Sequence, residues 1–272
     1  MLQGAGQLGA VQRVGQRVLK ALDQAGILGG AAEPVPGTTG DWDDPVADQI
    51  GDAAMHQQYP AVQKRAALCL NPDGLDPVPE VKAAVADAGE RLRRAGWTVE
   101  EIANTPPLRE AADWNRKLWL GDNYEAQLAM AEKEGDPGAL ACLNGNRAKV
   151  TPFDRADFSK ALTRRATLTR EWMLFLERYP VLLMPVSGEL PFPDHLDRKD
   201  DASFARVWHA QLVQIAIPFM GLPGLTVSTG LVGRVPVGVQ VIAGRYREDL
   251  CLLAGEAIEA GGVPPSPIDP IT

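Results

Sequence analysis

The sequence contains few of the residues that build metal sites and disulfide frameworks. Its three cysteines, Cys69, Cys142 and Cys251, lie far apart, and histidine also occurs only three times. Because no CxxC pair and no Cys/His cluster is present, the sequence predicts neither a metal site nor a disulfide framework. Unpaired cysteines are typical of a reducing compartment, so we expect a cytoplasmic protein.

Positive charge and aromatic residues are also scarce. Lysine and arginine number 27 against 35 aspartate and glutamate residues, which gives a net charge of −8. This excess of negative charge argues against a protein that binds nucleic acid through a basic surface. Aromatic residues make up 6% of the 272 residues, which argues against a dedicated aromatic recognition surface. With 45% apolar and 23% charged residues, the composition is that of a globular protein of one large or two small domains.

No long apolar run is free of helix-breaking residues. Residues 210–233 contain no charged residue, and these 24 positions would be enough to cross a bilayer. The same stretch contains Pro218, Pro223 and four glycines, which interrupt a helix and are costly in hydrocarbon. It therefore predicts a buried helix–turn–strand unit rather than a membrane span. No basic start followed by an apolar stretch comes after Met1, so we expect no secretory signal.

Residues 1–60 are predicted to form a helix and an irregular acidic segment, separate from a domain at residues 61–272. Residues 41–52 carry five aspartates, which is typical of a solvated loop, and the EF-hand pattern fails because Val46 stands where glycine is required. Residues 4–9 match G-x-G-x-x-G, but only three residues precede them, so the strand of a dinucleotide-binding fold is missing. We therefore expect neither calcium nor a nucleotide at these motifs.

From residue 65 onwards, short apolar runs alternate with helical patterns. Residues 66–70 and 97–102 are predicted strands, and the apolar positions from Val81 to Leu92 recur at helical spacing. This order predicts a βαβ unit with parallel strands. The fold class is therefore α/β, a mixed sheet flanked by helices on both faces. Further helices are predicted at about 107–134, 154–179, 202–217 and 248–260, with strands at 181–184, 225–227 and 235–243.

Two motifs in the last third of the chain carry a family resemblance. Residues 219–227 read FMGLPGLTV, and residues 234–242 read RVPVGVQVI. Together with LLMP at residues 182–185, they resemble, in matching order, the C-terminal portion of the amidase signature family. The resemblance covers about residues 65–262 and implies a partial amidase-signature fold. It also implies descent from enzymes that hydrolyse the carbon–nitrogen bond of small-molecule amides without a metal or organic cofactor.

The catalytic residues of the family have no counterpart in this sequence. The resemblance implies a Ser–Ser–Lys arrangement in a Gly/Ser-rich stretch that is N-terminal to the matched part. Pro218 and Ser228 also replace the asparagine and the proline that are usual in the family. The serines of this chain are isolated, and no catalytic role is carried over to any of them: Ser159, Ser187, Ser203, Ser228 and Ser266.

These departures lead us to expect a truncated or frame-disrupted amidase that is inactive alone. One alternative is a non-catalytic partner or remnant, which would self-associate or bind another chain through an exposed apolar surface. Another is the amidase-like component of a tRNA-dependent amidotransferase, although no residue favours it. Each alternative keeps the fold and changes only the activity.

The resemblance also implies a substrate-binding region. In the family, the helix that enters the G-L-P strand borders the substrate tunnel, and so does the loop that corresponds to residues 185–193. A mostly apolar wall would suit a hydrophobic or aryl amide. The competing interpretation is that these positions pack in the core. The residues that the resemblance places near the substrate are Gln214, Ile217, Phe219 and Gly221.

Overall fold

The computed structural model describes residues 63–121, 123–148 and 154–262. The predicted N-terminal segment, with its acidic and glycine-containing motifs, lies outside the described residues. The boundary at residue 60 therefore stays a prediction.

Five strands form one mixed sheet: β1 Arg65–Leu68, β2 Thr98–Glu101, β3 Val181–Pro185, β4 Gly224–Val232 and β5 Val235–Ala243. Their order across the sheet is β2-β1-β3-β5-β4. β1 is parallel to β2 and to β3, whereas β5 is antiparallel to β3 and to β4. The predicted βαβ unit and the mixed sheet are therefore confirmed.

The helices of the described ranges are α1 Pro79–Arg94, α2 Arg109–Gly121, α3 Tyr124–Glu134, α4 Pro137–Arg147, α5 Arg155–Arg178, α6 Asp201–Ala210, α7 Leu212–Met220 and α8 Glu248–Glu259. α1 connects β1 to β2 and begins with Pro79, whose fixed φ and missing N–H suit a first helical turn. Within these ranges, no helix combines the length and the apolar composition that a bilayer crossing needs.

Helices cover both faces of the sheet, and β3, which is apolar at every position, contributes side chains to the core on each face. Val181 and Leu183 belong to a core that also contains residues of α1 and α8. Leu182 and Met184 belong to a second core, which α2, α5 and α7 share. Successive side chains of a strand point to opposite faces, so a continuous apolar run is what a strand between two helical layers requires. The predicted flanking of the sheet by helices on both faces is thus confirmed.

Two segments that were each predicted as one helix contain two helices in the structure. The helix predicted at 107–134 is interrupted because α2 ends at Gly121, and Asn123, which precedes α3, has a φ of 67°. Asparagine tolerates this left-handed conformation, which ends a right-handed helix. The helix predicted at 202–217 is divided at Gln211 (φ −88°, ψ 16°) into α6 and α7.

Four large apolar side chains of α2, α3 and the first half of α5 are exposed. Trp119 also contacts Trp208 edge to face, with ring centroids 6.2 Å apart. The exposed side chains are Trp119, Met130, Phe158 and Leu162.

Candidate functional site

A cavity of about 350 Å³ lies beside the first turn of α7. It is lined by the loop after β3 (residues 186–192 without Gly188), by Gln211 and Gln214, and by neighbouring residues of β4 and β5. We call it the apolar cavity, because aliphatic, proline and phenylalanine side chains form most of its wall. Its remaining lining residues are Val81, Thr226, Ser228, Pro236, Val237 and Gly238.

The loop after β3 is held in place by backbone contacts at Gly188. Its N–H donates to the carbonyl of Ala210 at 2.7 Å, and its carbonyl accepts from the N–H of Val78 at 2.9 Å. A Cβ at Gly188 would lie 3.0 Å from Leu75 Cδ1 and 3.4 Å from Ala210 Cα, so a larger residue would push the loop outwards. The loop is therefore fixed between the start of α1 and the end of α6, and this position defines one wall of the cavity.

The strand side of the cavity depends on a glycine at a close crossing of two backbones. A Cβ at Gly238 of β5 would lie 2.2 Å from the carbonyl oxygen of Val227 on β4. Glycine is therefore the residue that allows β4 and β5 to approach at this point. Next to it, Thr226 Oγ1 donates to Gln240 Oε1 at 3.1 Å, which satisfies both side chains across the strand pair.

The serines of the cavity do not form a nucleophile–base pair. Ser187 Oγ accepts from the N–H of Glu189 at 3.2 Å, and Ser228 Oγ donates to the carbonyl of Val237 at 3.4 Å. Across the described ranges, neither hydroxyl bonds to a lysine or histidine side chain that could take its proton. These serines give the wall some polarity and are not activated for attack.

Among the described residues, Glu189 is the one charged residue of the cavity lining, and its carboxylate forms an ion pair with Arg206. Its carboxylate accepts hydrogen bonds from Arg206 Nε at 2.9 and 3.0 Å. These hydrogen bonds from Arg206 hold the pKa of Glu189 below its ordinary value. Glu189 is therefore ionised at neutral pH, where it cannot donate a proton to a leaving group.

The cysteines and the metal-ligating residues offer no alternative chemistry. Burial raises the pKa of Cys69 to about 11 and that of Cys251 to about 12, so both remain thiols at neutral pH. In the part of the chain that the structure describes, no three His, Cys, Asp or Glu residues are grouped as metal ligands. The apolar cavity is therefore suited to binding an apolar group.

One of the four residues predicted near the substrate lies at this cavity. Gln214 is exposed and lines it, together with the loop after β3. Ile217 and Phe219 are 4% and 3% exposed and belong to the core shared with α2 and α5, which is the competing interpretation of their spacing. Gly221 lies at the other end of α7, where its φ of 64° ends the helix. The structure does not bring these three residues to the apolar cavity.

Several lining residues were not predicted, although the sequence carries a signal for them. Thr226 and Ser228 alternate with the buried Val227, so a strand of period two places both on the same face of the sheet. Gln211 lies one turn before Gln214 and faces the same cavity. Recognition of Gly238 needs the strand register, which the sequence alone does not provide.

The sequence comparisons match this chain to the amidase family. The family model described as Amidase matches residues 39–252. An indoleacetamide hydrolase of Bradyrhizobium diazoefficiens is 34% identical over 200 residues, which cover 72% of this chain and 37% of that protein. A glutamyl-tRNA(Gln) amidotransferase subunit of Streptococcus uberis is 23% identical over 210 residues, which cover 69% of this chain and 42% of that protein. The chain therefore spans about two fifths of the length of these curated relatives.

A comparison of structures gives the same fold. A bacterial aryl acylamidase of the amidase signature enzymes aligns with a TM-score of 0.56 at 18% sequence identity, and the alignment covers 78% of this chain and 46% of that one. The predicted partial amidase-signature fold is thereby confirmed. The family match begins at residue 39, further towards the N-terminus than the motifs at 65–262 indicate.

Proposed function

This chain belongs to the amidase family, and we propose that its apolar cavity binds the organic part of an amide substrate. The observation that carries the proposal is the lining, in which apolar side chains of the β3 loop accompany the amide groups of Gln211 and Gln214. Binding sites for small organic molecules combine an apolar wall with few orienting polar groups in this way. The side chain of Gln214 can both donate to and accept from an amide, so it is our candidate for orienting the substrate.

The substrate class that we favour is an arylacetamide or indolylacetamide. The indoleacetamide hydrolase is 34% identical to this chain, compared with 23% for the amidotransferase protein, which favours a free amide over a tRNA-linked substrate. Phe192 and Pro191 in the wall would contact an aromatic ring. We therefore rank the amidotransferase alternative second.

We further propose that this chain does not hydrolyse amides by itself. Neither Ser187 nor Ser228 has a base that could activate it in the described ranges, and the Ser–Ser–Lys arrangement of the family is missing from the sequence. A second chain or a further segment would have to supply those groups. The scaffold would then contribute binding, and its partner would contribute the chemistry.

Titration of the purified chain with indole-3-acetamide and with acetamide tests the binding proposal. We expect saturable binding of the aromatic amide, much weaker binding of acetamide, and no release of ammonia from either compound. Gln214→Ala should weaken binding of the aromatic amide about two- to tenfold, because one hydrogen bond is lost. Gln127→Ala, the same change at an exposed position of α3 outside the cavity lining, is the matched control.

Two results would contradict these proposals separately. If both amides bind equally, or if neither binds, the apolar cavity is not the site that binds the organic part of an amide substrate. Turnover of either amide by the chain alone would instead remove the proposed inactivity and leave the cavity as an active site.

The edge of β4 provides a specific reason for association with a second copy of the chain. β4 and β2 are the two edges of the sheet in the described ranges. β2 carries Glu100 and Glu101, whereas the nine residues of β4 include no charge and no proline. Charged side chains on an edge strand oppose pairing with another strand, and β4 has none of its own. The charged group bonded to its backbone is Arg91 of α1, whose Nη2 donates to the Thr229 carbonyl at 2.7 Å. We infer that β4 is the contact of a homodimer.

A further inference from the structure

Three arginines gather at a second surface depression of about 600 Å³. It lies along α5 and is distinct from the apolar cavity, which is at the opposite end of α7. Among the described residues, its lining contains no acidic side chain. The lining consists of Leu162, Arg165, Ala166, Thr169, Arg170 and Arg245.

The position of Arg245 is fixed by the C-terminus of α7. Its Nε and Nη2 donate to the carbonyl of Met220 at 3.1 and 2.7 Å. A cationic donor at the last carbonyls of a helix is favourable, because these carbonyls lack partners within the helix. The guanidinium group is therefore held rigidly at the rim of the depression.

Gly221 allows two guanidinium groups to meet at this helix end. An ideal Cβ at Gly221 would lie 3.2 Å from Arg245 Nη2 and 3.6 Å from Arg165 Nη2. Both Nη2 atoms are thus close to one point, although the two cations repel each other. An anion between them would offset that repulsion.

These arginines lack the carboxylate partners that their neighbour has. Arg164 Nε and Nη2 donate to the two carboxylate oxygens of Glu110 at 2.6 and 2.8 Å. Within the described ranges, no aspartate or glutamate forms an ion pair with Arg165, Arg170 or Arg245. Arg165 Nε is also inaccessible to solvent and has no hydrogen-bond acceptor. An anion in the depression cannot contact this buried atom, so Nη1 and Nη2 of Arg165 are the donors that it would meet.

We propose that Arg165, Arg170 and Arg245 form a binding site for a small oxyanion, either a carboxylate or a phosphate. Planar guanidinium groups bind both anions through hydrogen bonds, and this site holds three of them with no acidic side chain in its lining. Because Arg245 Nε and Nη2 already donate to Met220, Arg165 and Arg170 would supply the paired donors, and Arg245 would supply charge. Leu162 and Ala166 border the arginines and would contact an apolar substituent of the ligand. The proposal does not depend on amide binding at the other cavity.

Calorimetric titration of the purified chain with inorganic phosphate and, separately, with benzoate tests this site. We expect a Kd of about 1 mM or below for at least one of the two anions, and a higher melting temperature in its presence. Arg165→Gln and Arg170→Gln should each weaken binding about tenfold, because a charge-assisted hydrogen bond is lost. Arg234→Gln, at an exposed position in the β4–β5 turn, changes the net charge equally and should leave binding unchanged.

The two titrations distinguish a phosphorylated ligand from an organic acid, and they also show whether the proposed site binds anions at all. Tighter phosphate binding assigns the site to a phosphorylated ligand, and tighter benzoate binding assigns it to an organic acid. Absence of binding by both anions overturns the proposal, as does equal weakening by Arg234→Gln. If Arg165→Gln fails to fold by circular dichroism, the exposed Arg170→Gln carries the test alone.

Discussion

Gly238 shows how one missing side chain sets the spacing of two strands. An added Cβ would meet the carbonyl oxygen of Val227 at 2.2 Å, and backbone atoms cannot rotate away as a side chain can. We therefore expect Gly238→Ala to lower the free energy of unfolding by about 1–3 kcal/mol, which is the usual cost of overpacking. Urea unfolding followed by circular dichroism measures the change.

The control for this substitution is on the partner strand. Gly230→Ala places a Cβ where no atom lies within 4 Å, so its stability should stay close to that of the wild type. Equal unfolding midpoints for the two variants would show that the strands adjust without cost.

At the scale of elements, α2 and α5 are joined by an ion pair between Glu110 and Arg164 in addition to their apolar contacts. The hydrogen bonds from Arg164 lower the pKa of Glu110 in the folded protein below its ordinary value. A depressed folded-state pKa contributes stability that is complete above the unfolded-state pKa, about 4.3 for glutamate, and is lost as the pH falls through the folded-state pKa. Glu110→Gln should therefore reduce the melting temperature at pH 7 and have less effect as the pH falls below about 4.

Melting curves between pH 3 and pH 7 check this expectation, with Glu125→Gln as the control. Glu125 is an exposed residue of α3 and forms no ion pair within the described ranges. A difference between the wild type and Glu110→Gln that stays constant with pH would argue against a charge effect.

A helix or strand can be predicted when the residues that determine it lie close together in the sequence. The βαβ unit and β5 could be predicted because periodicity and the turns that bound them lie in the sequence itself. The break at Asn123 could not, since asparagine is tolerated inside helices and nothing in the sequence indicates that its φ is 67° here. α4 was missed although Asp136 and Pro137 form a clear helix start, with Asp136 accepting from two backbone N–H groups.

The candidate site was predicted in part for a related reason. α7 is apolar on nearly all sides, so its spacing does not indicate which face meets a ligand and which meets the core. Gln214 stands out because it is polar within this helix, and it is the residue of the predicted four that reaches the cavity. The arginine site needs contacts between α5 and the segment after β5, which are distant in sequence.

At the scale of the whole molecule, the uncharged edge of β4 predicts a homodimer. We expect size-exclusion chromatography with light scattering to give twice the chain mass of 29.2 kDa. Leu231→Lys, at a residue of β4 that is 44% exposed, should shift the protein towards the monomer by placing a charge on the edge. Leu252→Lys, on α8 and 40% exposed, should leave the dimer intact.

A monomeric wild type at micromolar concentration would contradict the proposed homodimer. Dissociation by Leu252→Lys with retention by Leu231→Lys would move the contact to α8. Either outcome leaves the amidase fold of the chain unaffected.

The central position of β3 in the sheet has a consequence for how this protein unfolds. Within the described ranges, β3 is the strand that joins the parallel pair β2–β1 to the antiparallel pair β5–β4, and all five of its residues are buried. Neither pair can separate from the other without breaking the β3 ladder and opening both cores. The amide protons of β3 should therefore exchange with deuterium only through global unfolding, and the two halves should lose their structure in one cooperative step.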